Sequence, residues 1–255
     1  MSIEIIIIGF IVGGLVGLTG VGGASLLTPF LIFLGINPTI AIGTDFAYNT
    51  ITKMFAAFQH VKQKTVDLKL VKYLAFGSLP AAVIANLIFY FFLSDYYSEK
   101  LIVLFLGIVL IVVSLTALVQ LVFFREINSP WRLKPIREKR NITIIAGMVI
   151  GAVVGITSVG AGSLFALFIL FFYNRKSSEV VGTDIVHAFF LVLVTGLLMA
   201  GYGHINYVLT GNLLIGSIPG TIIASKLTKK IPSSIIRVLI VIIILFSGIK
   251  LIMNG

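Results

Sequence analysis

The sequence predicts an all-α polytopic membrane protein made of two inverted-topology repeats. Each repeat is a broken, re-entrant helix hairpin followed by three transmembrane helices. Three observations carry this prediction: an apolar composition without strand alternation, a glycine-dense stretch that occurs twice, and loop charges that reverse between the halves.

Of the 255 residues, 58% are hydrophobic and only 11% are charged, against about 25% charged in soluble domains. Mean hydropathy is +1.13. Apolar runs occupy roughly 3–34, 40–58, 70–93, 101–124, 142–173, 180–200, 207–225 and 233–253. They are apolar on all sides, as lipid or a crowded bundle requires. A β-barrel would alternate in segments of about 10 residues, and these runs do not. The start, MSIEIIIIGF, lacks a basic n-region and carries Glu4, so it reads as retained structure rather than a signal peptide. Cysteine is absent, which excludes disulfides and thiolate chemistry. The formal net charge of +10 sits in short loops, where it sets orientation against the cytoplasmic face rather than marking a nucleic-acid partner.

The chain repeats itself. GLTGVGGASL at 17–26 aligns with GITSVGAGSL at 155–164, an offset of 138, which also sets Gly13 opposite Gly151. One residue is then gained: GTD at 43–45 matches GTD at 182–184, GSLP at 77–80 matches GSIP at 216–219, and Asp67 matches Asn206. Ordered matches at nearly one offset indicate internal duplication. The basic stretch 125–140, REINSPWRLKPIREKR, joins the halves, giving a first repeat over 1–124, a cytoplasmic linker over 125–140 and a second repeat over 141–255.

Loop charge predicts that the repeats are inverted. Loop 62–72 holds Lys62, Lys64, Lys69 and Lys72, while its counterpart GYGHINYV has no Lys or Arg. Loop 94–99 has none, while its counterpart holds Lys226, Lys229, Lys230 and Arg237. GINPT at 35–39 is uncharged, while its counterpart holds Arg175 and Lys176; Lys100 and Lys250 are mild exceptions. By the positive-inside rule the halves face opposite ways. Inversion needs an odd number of crossings per half, so 3–34 and 142–173 each enter and leave on one side. Both termini are then expected outside a cytoplasmic membrane.

At the glycine stretches a helix must break, and unpaired backbone at membrane depth is tolerated only inside protein or beside a polar cavity. The restarted helix offers free N–H groups and a partial positive charge, features suited to an anion. Candidate substrate-binding residues are Thr19, Gly20, Gly22, Gly23 and Ser25, with Thr157, Ser158, Gly160, Gly162 and Ser163 from the second half. The competing reading is that small residues only let helices pack closely.

A polar stripe crosses the run 40–58. Asp45, Asn49, Thr52 and Lys53 share one helical face, and Thr44 and Tyr48 share another. Lysine inside a membrane faces the interior or a cavity, so Lys53 is a candidate source of positive charge, unless it snorkels to the inner surface. Thr44, Asn49, Thr183, Asp45 and Asp184 are candidates for coupling or support, unless the GTD motifs are simple helix caps. His187 matches Tyr48 and is a candidate proton carrier. His60 and His204 read as interfacial. No metal spacing, catalytic triad or phosphate loop is legible, so no catalytic residue, metal or cofactor is expected.

With both glycine stretches, both GTD motifs and the spacing from His60 to Val66–Asp67, the chain resembles the TauE/SafE family of sulfite exporters, also called the four-toluene-sulfonate uptake family. The resemblance covers nearly the whole chain. The second half departs from it at Ser158 and Ala161 and lacks a counterpart of Pro29. The resemblance implies secondary transport, usually export, of small sulfur-containing anions such as sulfite or organosulfonates, tied to an ion gradient of protons or sodium. Other readings are a coupled transporter of another small anion, a cation transporter built on Asp45 and Asp184, an intramembrane enzyme, or a membrane assembly protein.

Overall fold

A computed structural model describes residues 3–19, 24–92, 99–123, 129–227 and 233–254. Gly20, Gly22, Gly23, the loop 93–98, residues 124–128 of the linker region, and Lys229 and Lys230 lie outside the described residues. Among the described residues the regular structure is helical, with no strand. In chain order the helices are α1 (Ile3–Thr19), α2 (Ala24–Phe33), α3 (Pro38–Lys62), α4 (Leu68–Leu87), α5 (Glu99–Phe123), α6 (Arg140–Thr157), α7 (Leu164–Phe172), α8 (Ser177–Gly201), α9 (Tyr207–Leu227) and α10 (Ser233–Asn254). A π-helical turn, Ile88–Phe92, prolongs α4, and a 3-10 turn, Pro130–Leu133, precedes α6.

Each broken run becomes a long helix followed by a short one. With 10 and 9 residues, α2 and α7 rise about 15 and 14 Å, half of a ~30 Å hydrocarbon core. The break after α6 has a local cause. Ser158 takes a left-handed φ of 61° and Gly160 a φ of 97°, a region that L side chains avoid and glycine tolerates. Helix resumes only after Ser163.

Helix starts follow capping chemistry. Asn37 accepts from the N–H groups of Thr39 (2.9 Å) and Ile40 (3.4 Å), and Pro38 occupies the first turn, where its missing N–H costs nothing. Asp67 caps α4 by accepting from Lys69 and Leu70, each at 3.1 Å. Its counterpart Asn206 accepts from the Leu209 N–H at 2.9 Å at the start of α9. The cap reading of GTD is therefore wrong. α3 is capped by Asn37 and α8 begins at Ser177, so Asp45 and Asp184 lie inside helices.

Among the described residues, five helical spans are long and apolar enough to cross a membrane: Leu68–Phe91, Glu99–Leu121, Arg140–Thr157, Ser178–Gly201 and Tyr207–Ala224. α3 has the length, but its polar stripe lowers its apolarity. Shorter apolar stretches come from Ile3–Leu15 and Val238–Met253. Large apolar side chains such as Phe58, Phe76, Leu197 and Phe246 lie on the outside, the surface a bilayer would cover.

Packing crosses between the halves. α1 lies against α9, α6 against α4, α3 against α8 and α5 against α10. One apolar core combines α6, α7 and α8 with α3 and α4 of the first half, through Phe46, Leu74, Phe165 and Leu191. The other combines α1 and α2 with α5, α9 and α10, through Leu27, Leu110, Leu213 and Ile244. Close approach depends on glycine. A Cβ on Gly13 would meet Ser217, and one on Gly151 would meet Ser78. A Cβ on Gly9 would meet Leu213, and one on Gly147 would meet Leu74. Each contact thus has a counterpart with the halves exchanged.

Candidate functional site

The polar stripe of α3 faces the break between α6 and α7. Asp45 and Asn49 are buried on it, and Lys53 is only 7% exposed. Lys53 therefore does not snorkel. Its ammonium donates to the carbonyl oxygen of Ala161, inside the break, at 3.4 Å. No carboxylate comes within 4 Å of it among the described residues, although it lies in the fields of Asp184 and, more weakly, Asp45. An ammonium has three donors, so most of its capacity is open.

Asn49 donates to Asp45 Oδ1 at 2.9 Å and to the Asp45 carbonyl oxygen at 3.0 Å, which fixes the carboxylate. The other oxygen, Oδ2, is buried without a hydrogen-bond partner. The hydroxyls of Ser158 and Thr28 are directed at this carboxylate, although neither reaches full hydrogen-bond geometry. Ser163 Oγ, Asp184 Oδ1 and His187 Nδ1 complete a set of buried polar atoms without partners. Native proteins rarely leave such groups unpaired, and each calls for a missing ion, water or ligand.

Other predicted residues are engaged locally. Thr157 donates to Val153 O at 2.8 Å and accepts from the Val159 N–H at 3.2 Å, stitching the end of α6. Thr44 accepts from the Asn206 N–H at 3.2 Å, and Thr183 accepts from the Asp67 N–H at 3.0 Å. Both tie a GTD motif to the helix start of the other half. His187 Nε2 pairs with Ser78 Oγ at 2.7 Å, and its ring sits edge-on to Phe165 with centroids 4.3 Å apart. The equivalent Tyr48 pairs with Ser217 at 2.5 Å. Ser25 is buried, Gly160 makes the positive-φ turn, and Gly162 lies in the turn after it. Thr19 is described only as the last residue of α1, and Gly20, Gly22 and Gly23 are outside the described residues. The first bend therefore adds no described contact.

Sequence reasoning missed several residues. Thr28 looked like a β-branched residue of an apolar helix. Asn86 and Tyr90 hold the end of α6 by donating to the carbonyls of Gly155 (2.8 Å) and Ile156 (2.5 Å), and Gln120 donates to Ser163 O at 2.8 Å. Asn86 was detectable as a lone amide in an apolar run. Ser78 and Ser217 were visible as the serines of GSLP and GSIP. Outside the spans, burial holds the His204 imidazole below its ordinary value, and this ring lines a cavity of about 340 Å³ with Asn37, Glu99 and Tyr90.

A family model described as "Sulfite exporter TauE/SafE" matches residues 5–251. The chain belongs to the TauE/SafE family. Among TauE/SafE-like relatives, "Probable membrane transporter protein YjnA" of Bacillus subtilis is 49% identical over 254 residues, covering 99% of this chain and 100% of that one. "Probable membrane transporter protein YunE" of the same organism is 25% identical over 274 residues, covering 98% and 97%. "Probable membrane transporter protein MJ0441" of Methanocaldococcus jannaschii is 26% identical over 247 residues, covering 91% and 86%. No solved structure matches the chain. As a member of TauE/SafE with multiple apolar spans, the protein is a multi-pass membrane transporter. Ser158 and Ser163, two of the buried unpaired groups, lie at the break between α6 and α7.

Proposed function

We propose that this transporter carries small sulfur-containing anions, sulfite or organosulfonates, out across the cytoplasmic membrane by alternating access. The observation that carries the reading is Lys53: a buried ammonium with one long hydrogen bond, held at the break between α6 and α7. The N-terminus of α7 and the unpartnered Ser163 hydroxyl lie just beyond. Ammonium, hydroxyl and helix N-terminus together suit an oxyanion. The family description supports the sulfur anion. Asp184 and His187 flank Lys53 and answer to its charge, so they are the groups through which a proton would act.

Two inverted halves, 1–124 and 141–255, rock about the site, with the linker 125–140 inside and both termini outside. The exchanged contacts support a two-fold relation between the halves, and the reversed loop charges support inversion.

The test is sulfite and organosulfonate flux in proteoliposomes. Lys53→Ala is expected to lower flux at least about a hundredfold, because loss of a charged partner at a buried ionic site costs about 3–5 kcal/mol. Wild-type flux from Lys53→Ala would reject the site. The absence of native cysteine allows single-cysteine labelling at Gln63 and His204. Inversion predicts labelling from opposite sides, and same-side labelling would reject it.

A further inference from the structure

The two carboxylates of the site outnumber its lysine. Lys53 offsets one charge of the buried pair Asp45 and Asp184, and Asp184 is the carboxylate it feels more strongly. His187 pairs its Nε2 with Ser78 rather than with either carboxylate and packs its ring on Phe165. Asp45 is thus left underbalanced in a low-dielectric interior, where an uncompensated charge is costly.

Its surroundings supply neutral oxygens rather than a second cationic side chain. Thr28 of α2 and Ser158 at the end of α6 flank the carboxylate, and Asn49 and Lys53 lie on its own helix. Asp45 Oδ2, Thr28 Oγ1 and Ser158 Oγ are all buried without a hydrogen-bond partner. Hydroxyl and carboxylate oxygens each carry more than one lone pair, so the oxygens gathered here can accept an ion while the hydroxyls stay directed at the carboxylate.

The backbone agrees. Ser158 caps the C-terminus of α6, the negative end of the helix dipole, which favours a cation. Asn86 and Tyr90 hold its last-turn carbonyls in place. Pro29 has no N–H to give the Ser25 carbonyl one turn earlier in α2. One carboxylate among neutral oxygens matches a single positive charge. A divalent ion would leave charge unbalanced, and no group of three His, Cys, Asp or Glu side chains suited to a metal occurs among the described residues.

We propose that Asp45, Thr28 and Ser158 form a binding site for a monovalent alkali cation, with Asn49 positioning the carboxylate. The break between α6 and α7 then has two poles: a cation at the end of α6, and the anion near Lys53 and the start of α7. The proposal rests on the transporter reading only in casting this cation as the coupling ion; the binding itself can be measured without any anion.

Purified full-length protein is melted at constant pH and ionic strength in choline chloride, with sodium or potassium chloride titrated in and no sulfite present. A saturable rise in melting temperature is expected with one or both alkali ions. Asp45→Asn should abolish it. Thr28→Val and Asn49→Ala should weaken the apparent affinity by about tenfold or more, and Asp184→Asn should leave it in place. Radioactive sodium bound at equilibrium, measured on wild type and Thr28→Val, keeps the test open if Asp45→Asn does not fold. The proposal is overturned if neither alkali ion has an effect, if the effect survives Asp45→Asn, or if Asp45→Asn is instead stabilised in choline while wild type responds only to acid, which would mean a proton. Absence of cation binding in the wild type with intact sulfite flux would reject this site alone. Cation binding without anion flux would reject the proposed substrate alone.

Discussion

Asp45 and Asp184 each end a GTD motif and are each buried inside a helix. Their neighbourhoods differ. Asp45 has Asn49 on one oxygen, with Thr28 and Ser158 beside it. At the corresponding positions around Asp184 the sequence has Ala188 in place of Asn49 and Ala166 in place of Thr28. Both carboxylates feel the ammonium of Lys53, Asp184 the more strongly, and the counterpart of Lys53 is Val192. The sequence places the two carboxylates in matching motifs and surrounds them with different side chains. One is embedded in neutral oxygens and fits a cation. The other faces an ammonium and fits the role of a resident counter-ion that an arriving anion must displace.

The sharpest way to break this comparison is to neutralise Asp184. If Asp184 competes with the anion for Lys53, Asp184→Asn removes the competitor. Unit charges in a protein interior interact by a few kcal/mol at separations just beyond contact, so KM for sulfite should fall by about tenfold or more. Release then slows, and kcat should fall with it. Asp45→Asn should instead move KM little and remove the dependence on alkali cation. A raised KM in Asp184→Asn, or the same kinetic change from both variants, would erase the distinction drawn between them.

The helical class, the break after α6 and the burial of Lys53 were legible because each rests on a local rule: apolar composition, glycine density, the cost of a buried charge. The bond from Lys53 to Ala161 was not, because it joins residues from different halves, and periodicity within α3 says nothing about which break it faces. Thr28 was hidden for a related reason. A threonine in a short apolar helix is unremarkable until the helix is placed against Asp45. The competing cap reading of GTD fails because Asn37 and Pro38 start the helix earlier than the motif. The recurrence of its glycine has a packing cause. A Cβ on Gly43 would run into the carbonyl oxygen of His204, and one on Gly182 into that of Thr65.

Those two glycines give the smaller test of the same comparison, now at the level of scaffold rather than charge. Each lies one turn or less before its aspartate and lets the segments leading into α4 and α9, at Thr65 and His204, approach α8 and α3. Backbone atoms block both positions, so neither collision can be relieved by a side-chain rotation. Gly43→Ala and Gly182→Ala should each destabilise the protein by about 1–3 kcal/mol, the usual cost of overpacking, with the larger loss at Gly43, where the clash is deeper. Thermal melts of the purified variants measure this. If the shared scaffold and the divergent sites are separable, Gly43→Ala should lower the melting temperature equally with and without alkali cation. A loss confined to the cation-bound protein would instead mean that the fit of α3 against the start of α9 sets the geometry of the Asp45 site, and that the asymmetry between the carboxylates begins in the packing.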